Sequence, residues 1–222
     1  MSINIAIDGP SGAGKSSLSK KVAAALGYMY VDTGAIYRTI GLFVYRAGVA
    51  PDDAKAVQSC LENLSMDVKF IDGVQHVYLG DEDVSEAIRE HIISDYASKT
   101  SALPVVRDHL LEMQRKIARE NNIIMDGRDI GTVVLPDADV KIFLTASPEA
   151  RAKRRYLELI EKKQDVPYEV VLKDIIERDY RDTHREIAPL KPAIDSVLVD
   201  TTEYDFNQSI QLILDAIKEK VQ

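Results

Sequence analysis

The eight residues Gly9-Pro10-Ser11-Gly12-Ala13-Gly14-Lys15-Ser16 constrain this chain more than any other stretch. They match the phosphate-loop pattern G-x-x-x-x-G-K-[ST] at each fixed position. Ile3-Asn4-Ile5-Ala6-Ile7 precedes them as a short apolar run, and Leu18, Val22 and Leu26 follow at helical spacing. Strand, glycine loop and helix are the geometry that triphosphate binding needs. The glycines let backbone N–H groups turn inward toward phosphate oxygens, and the helix presents its positive end to the same anion. Lys15 then supplies a cation for the outer phosphates, and the Ser16 hydroxyl is placed to ligate Mg²⁺.

At 222 residues the chain can bury a sizeable core as one large domain or as a core with an inserted subdomain. A net charge of −8 argues against nucleic-acid binding, which leans on summed positive charge. Any phosphate site is therefore a local arrangement of arginines. The single cysteine, Cys60, excludes an internal disulfide, suits a reducing compartment and is expected as a small buried hydrophobe. No apolar run approaches the roughly 20 residues of a membrane span. No signal peptide is read at the N-terminus, so a cytoplasmic location is expected.

Apolar segments alternate with helical patterns, which predicts an α/β fold with a parallel sheet. Core strands are expected at 3–7, 28–31, 122–126, 139–145 and 197–200, and helices at 34–47, 102–120, 148–162 and 167–185. A last helix is marked by the face of Ile210, Ile213, Leu214 and Ile217. Residues 65–83 break the rhythm. Val68 and Phe70 alternate with Asp67 and Lys69, Asp72-Gly73 marks a tight turn, and Val77 and Leu79 resume. This predicts a small antiparallel insert between the second and third core strands, with His76 facing solvent.

Parallel sheets bind ligands at the carboxyl ends of their strands, so the residues there carry the chemistry. After strand 28–31 comes Asp32-Thr33-Gly34-Ala35-Ile36-Tyr37-Arg38, in which Asp32 or Thr33 can cap a helix. After strand 122–126 comes Asp126-Gly127-Arg128-Asp129. An acid at a strand tip beside a phosphate loop is placed to organise Mg²⁺, and Arg128 points into the same crevice. Arg151, Arg154 and Arg155 follow the fourth strand, while Arg178, Arg181 and Arg185 share one face of the next helix. Asp182 lies four residues from Arg178, where an ion pair can form.

These segments together resemble bacterial cytidylate kinases. The resemblance is carried by Gly-Pro-Ser-Gly-Ala-Gly-Lys-Ser at 9–16, Asp-Thr-Gly-Ala-Ile-Tyr-Arg at 32–38 and Asp-Gly-Arg-Asp-Ile-Gly-Thr-Val-Val at 126–134. Pro-Asp-Ala-Asp-Val-Lys-Ile-Phe-Leu at 136–144, Glu-Arg-Asp-Tyr-Arg-Asp at 177–182 and the β-rich insert match as well. It covers nearly the whole chain, in order. It implies a P-loop kinase domain over 1–222, with a core of 1–33 and 102–222. A nucleoside-monophosphate-binding region of about 34–101 holds the insert, and a short lid spans about 148–166. The implied reaction moves the γ-phosphoryl group of Mg-ATP to CMP or dCMP.

The resemblance also implies roles for residues. Gly9, Pro10, Ser11, Gly12, Ala13, Gly14, Lys15, Ser16 and Ser17 match the ATP loop, and Arg154 falls in the lid that serves the donor. Arg38 and Arg128 match the clamps on the acceptor phosphate, with Thr33 close by. Ser98, Arg107 and Arg185 match the cytosine-reading set, and Asp129 is placed with the acceptor residues. Arg178 and Asp182 match residues near the acceptor sugar, which Tyr37 flanks. Lys15, Arg128 and Arg178 are expected to stabilise transferring charge, and Asp126 with Ser16 to hold Mg²⁺. ATP and CMP or dCMP are the expected partners, the expected state is a monomer, and closure of lid and insert on binding is expected. Uridylate, shikimate or gluconate kinases are rivals that the Asp126–Asp129 segment and the insert disfavour. A GTPase-like switch would need an Asn-Lys-x-Asp element, which the chain lacks.

Overall fold

The computed structural model describes residues 2–221. The apolar run before the glycine loop forms β1 (Asn4–Asp8), buried from Ile5 onward because both faces of a parallel sheet are covered. The other core strands are β2 (Met29–Asp32), β6 (Ile123–Gly127), β7 (Val140–Thr145) and β8 (Val197–Asp200), numbered in chain order with the insert strands. They build a five-stranded parallel sheet in the order β2-β6-β1-β7-β8, with β1 in the middle. In its register Ile7 lies opposite Asp126 on one side and Ile142 on the other. The tips of β1 and β6 are thereby brought level.

The chain divides into two compact units, one drawn from residues up to Tyr28 and from Asn122 onward, the other spanning Met29–Asn121. In the first, α1 (Lys15–Leu26), α6 (Pro148–Glu161), α7 (Tyr168–His184) and α8 (Phe206–Val221) accompany the central strands. Ser147 caps α6 by accepting from the Ala150 N–H, and Pro148 opens the helix where a missing donor costs nothing. Helices α6 and α7 pack through Ala152, Leu159, Val171 and Ile175.

In the second unit, α2 (Thr33–Arg46) starts at the end of β2 and is capped by Asp32, whose side chain accepts from the Ala35 N–H. Helix α4 (His91–Thr100) crosses α2 so closely that a Cβ on Gly41 would sit 2.8 Å from the Ala97 nitrogen. Helix α5 (Pro104–Glu120) closes this unit, and α3 (Ala54–Leu61) precedes the insert. The insert is the expected hairpin, β3 (Met66–Ile71) with β4 (Val74–Leu79), extended by a two-residue β5 (Glu82–Asp83). Asp72 and Gly73 turn it, both at positive φ. Val77, Val84, Ile88 and Ile93 pack it onto Leu42 of α2.

Three features depart from expectation. Helices α3 and α4 and the wide turn at Ile130–Val134 fall where no element was read. His76 does not simply face solvent: its Nδ1 lies 2.7 Å from Asp83 Oδ2. Cys60 is half-buried rather than buried, and burial raises its thiol pKa.

Candidate active site

The glycine loop leaves β1 through Gly9, where φ is +153°. A Cβ there would lie 1.9 Å from the Leu144 carbonyl oxygen of β7, so no side chain fits. Lys15 is buried, and its ammonium donates to the carbonyls of Gly9 and Pro10 at 2.8 Å each. Desolvation pushes its pKa well down, as does the neighbouring Arg128, while Asp126, Asp182 and Asp8 pull it up. Ser16 and Ser17 stand exposed on the first turn of α1. The Ser16 hydroxyl donates to Asp126 Oδ2 at 2.8 Å. Pro10 and Ala13 are buried within the loop, and Ser11 and Gly12 lie against Arg151.

Asp126 ends β6 and is buried, as is Asp129. Between them Arg128 donates through Nε to Asp182 Oδ2 at 2.8 Å. Asp182 is therefore paired across the site with Arg128. Its pKa is lowered even though burial pulls the other way, because Arg128, Arg178 and Arg185 surround it. Arg185 reaches Asp129 Oδ1 at 3.2 Å and donates to the Ala188 carbonyl. The unit thus gathers Lys15, Ser16, Asp126, Arg128, Asp129, Arg178, Asp182 and Arg185 around the tips of β1 and β6.

Sequence reading missed one member of this cluster. Asp8, the last residue of β1, accepts from the N–H of Ile130 on Oδ1 and of Gly131 on Oδ2, each at 2.8 Å. It clamps the turn that follows Arg128 and Asp129. Burial raises its pKa to about 6 against the two backbone bonds. The signal was present, since an acid at a strand tip had already marked Asp32 and Asp126. Arg151, expected in the arginine run after the fourth strand, is tied down: its guanidinium meets both oxygens of Asp179 at 3.0 and 2.6 Å, and also donates to the Ser11 and Ala146 carbonyls. Arg154, one turn on, donates to the Thr201 carbonyl and hydroxyl. The segment expected as a lid is a regular helix up to Glu161.

The residues of the other unit that were expected at the acceptor form their own group. Thr33 is buried in the first turn of α2, and Arg38 donates through Nη2 to Asp32 Oδ2 at 3.0 Å. Arg107 of α5 is buried, lies 5.7 Å from the Tyr37 ring centroid and donates to the Ser101 carbonyl. Ser98 belongs to the same corner, its carbonyl accepting from the Ser101 hydroxyl.

A sequence profile of the cytidylate kinase family matches residues 5–219. The chain belongs to the cytidylate kinase family. Among its relatives is the cytidylate kinase of Caldicellulosiruptor bescii, 47% identical over 99% of this chain and 97% of the relative. That of Caldicellulosiruptor saccharolyticus is 47% identical over 96% of this chain and 94% of its own. The fold alone extends further: a shikimate kinase from Bacteroides thetaiotaomicron aligns with a TM-score of 0.50 at 12% identity over 97% of this chain and 98% of that one. Membership in the cytidylate kinase family makes the chain a nucleoside monophosphate kinase. None of its described helices is long and apolar enough to cross a membrane.

Proposed function

We propose that this chain transfers the γ-phosphoryl group of ATP to CMP or dCMP, giving ADP and CDP or dCDP, and that it does so as a monomer in the cytoplasm. The observation that carries the reading is the cluster at the tips of β1 and β6. There the phosphate-loop lysine shares one buried field with Asp126, Arg128 and Asp182. Phosphoryl transfer asks for positioning and for cations around equatorial oxygens, not for a covalent intermediate. Lys15, Arg128 and Arg178 are the cations assigned to that task. The acceptor phosphate is anionic at neutral pH, so no general base is assigned.

The residues fit Mg²⁺. A serine hydroxyl and a carboxylate 2.8 Å apart are hard oxygen donors, and this ion is usually held by few protein ligands together with water and phosphate. Ser16 and Asp126 would hold it, the acid through water. When bound, the ion neutralises charge on the donor phosphates. Gly9 through Ser17 receive those phosphates, and Arg154 lies on the donor side. Thr33 and Arg38 are assigned to the acceptor phosphate with Arg128. Ser98, Arg107, Arg185 and Asp129 are assigned to the base, and Tyr37, Arg178 and Asp182 to the sugar. Hydrogen-bond readout of this kind discriminates strongly, because a wrong base leaves buried groups unpaired.

The test is ADP release with Mg-ATP against CMP, dCMP, UMP, AMP, GMP, shikimate and gluconate. Rapid turnover confined to CMP and dCMP is expected. Rapid turnover with another acceptor would discard the base assignments, and slow release indifferent to all of them would discard the reaction.

A further inference from the structure

The hairpin insert reaches the junction of β2 and α2 through Gln75. Gln75 lies on β4, and its carboxamide meets the backbone of Asp32 twice. The Asp32 N–H donates to Gln75 Oε1 at 2.8 Å, and Gln75 Nε2 donates to the Asp32 carbonyl at 3.1 Å. Strand β2 is the first in the sheet order, so one of its sides has no neighbouring strand. An open strand edge leaves N–H and C=O groups without ladder partners. Gln75 supplies both missing partners at Asp32, acting for one residue as the next strand would.

What hangs on Asp32 gives this clamp its reach. The Asp32 carboxylate holds the first turn of α2 through the Ala35 N–H at 2.8 Å. Its other oxygen accepts from Arg38 Nη2 at 3.0 Å. The corner is tight, since a Cβ on Gly34 would meet Asp32 Oδ1 at 3.0 Å and Arg38 Nη1 at 3.1 Å. Backbone, carboxylate and guanidinium therefore move together, and a side chain 43 residues further along the sequence fixes the first of them.

We propose that Gln75 is a positioning residue for the acceptor: through Asp32 it sets where the Arg38 guanidinium stands. The insert thereby contributes to affinity for the acceptor phosphate without touching it. This rests on the reading of Arg38 as an acceptor-phosphate clamp. Displacing a positioned cation by a fraction of an ångström weakens its contribution steeply.

The experiment measures KM for CMP and for ATP, kcat, and CMP dissociation by calorimetry. The proteins compared are the full-length enzyme, Gln75→Ala, Arg38→Ala and the double variant. Gln75→Ala is expected to raise KM and Kd for CMP about tenfold while KM for ATP and kcat stay nearly constant. Arg38→Ala is expected to weaken CMP binding more. Adding Gln75→Ala to it should change nothing further, because the two act through one path. Should Gln75→Ala not fold, Gln75→Met keeps the volume, removes both hydrogen bonds and is read the same way. An unchanged KM for CMP, an equal rise in KM for ATP, or the same factor in the Arg38→Ala background would each overturn the proposal. If Arg38→Ala alone leaves CMP affinity unchanged, the clamp reading itself falls, and the positioning role with it.

Discussion

The two units hold their candidate residues by different means. In the unit that carries the phosphate loop, the ion pairs around the loop and Asp129 lie largely in the interior. Arg151 is 3% exposed where it grips Asp179, and Arg185 and Asp129 are 11% and 5% exposed. In the unit that carries Arg38, the pairs lie nearer solvent, from Arg38 and Asp32 at 28% and 24% to Arg46 and Glu82 at 43% and 54%. Buried pairs are costly to break because the abandoned charge stays desolvated, whereas exposed pairs are screened and contribute little. The glycine loop is thus set in advance by its surroundings. The Arg38 region relies instead on backbone pairing at Asp32 and on apolar packing under the hairpin.

The largest break in that contrast comes from the loop lysine. Lys15→Ala is expected to lower kcat by about 10³-fold or more while thermal unfolding stays cooperative. ADP release and differential scanning calorimetry check it, and near-normal turnover would remove Lys15 from the chemistry. Arg151→Ala comes next. It strands the half-buried Asp179 and two carbonyls, so a stability loss of about 3 kcal/mol is expected, or roughly 6 to 12 °C in Tm for a chain of this size. A shift within error would mean that the donor side is not held as described.

Asp8 sharpens the comparison through pH. Its folded pKa of about 6 lies above the ordinary 3.8, so its contribution is fully present below pH 4 and is lost as pH rises through 6. Set against Asp8→Asn, which cannot titrate, the enzyme should lose up to about 3 kcal/mol of relative stability between pH 4 and pH 7. Urea unfolding of both proteins across that range measures it, and a difference independent of pH would refute the raised pKa. The smallest effect is expected at Arg46→Ala, which should leave Tm and turnover unchanged. A clear destabilisation there would erase the distinction between the two units.

Much of this was legible beforehand. The core strands are apolar runs such as Ile123-Ile124-Met125, because a parallel strand is covered on both faces, and the insert showed itself through alternation around Asp72-Gly73. Helix α4 was not read, since His-Ile-Ile-Ser-Asp-Tyr-Ala-Ser-Lys-Thr buries only Ile93, Ala97 and Thr100 and has weak helical propensity. The loop residues and Arg128 could be named from spacing, but their partners could not. Asp182 turns to Arg128, 54 residues away, and Gln75 turns to Asp32, and neither pairing leaves a periodic trace in the sequence.

The closeness of Gly9 to the Leu144 carbonyl ties the loop to a strand that is made much later along the chain. The loop closes against β7 and has Arg151 on Ser11, so its shape is completed only when residues beyond 140 have folded beside β1. Contacts of such long sequence separation form slowly, because chain closure must precede them. The eight-residue motif is therefore not a portable module. In an emerging polypeptide the loop sequence is made early, yet the residues that shape it, Leu144 and Arg151, are made only after the greater part of the protein.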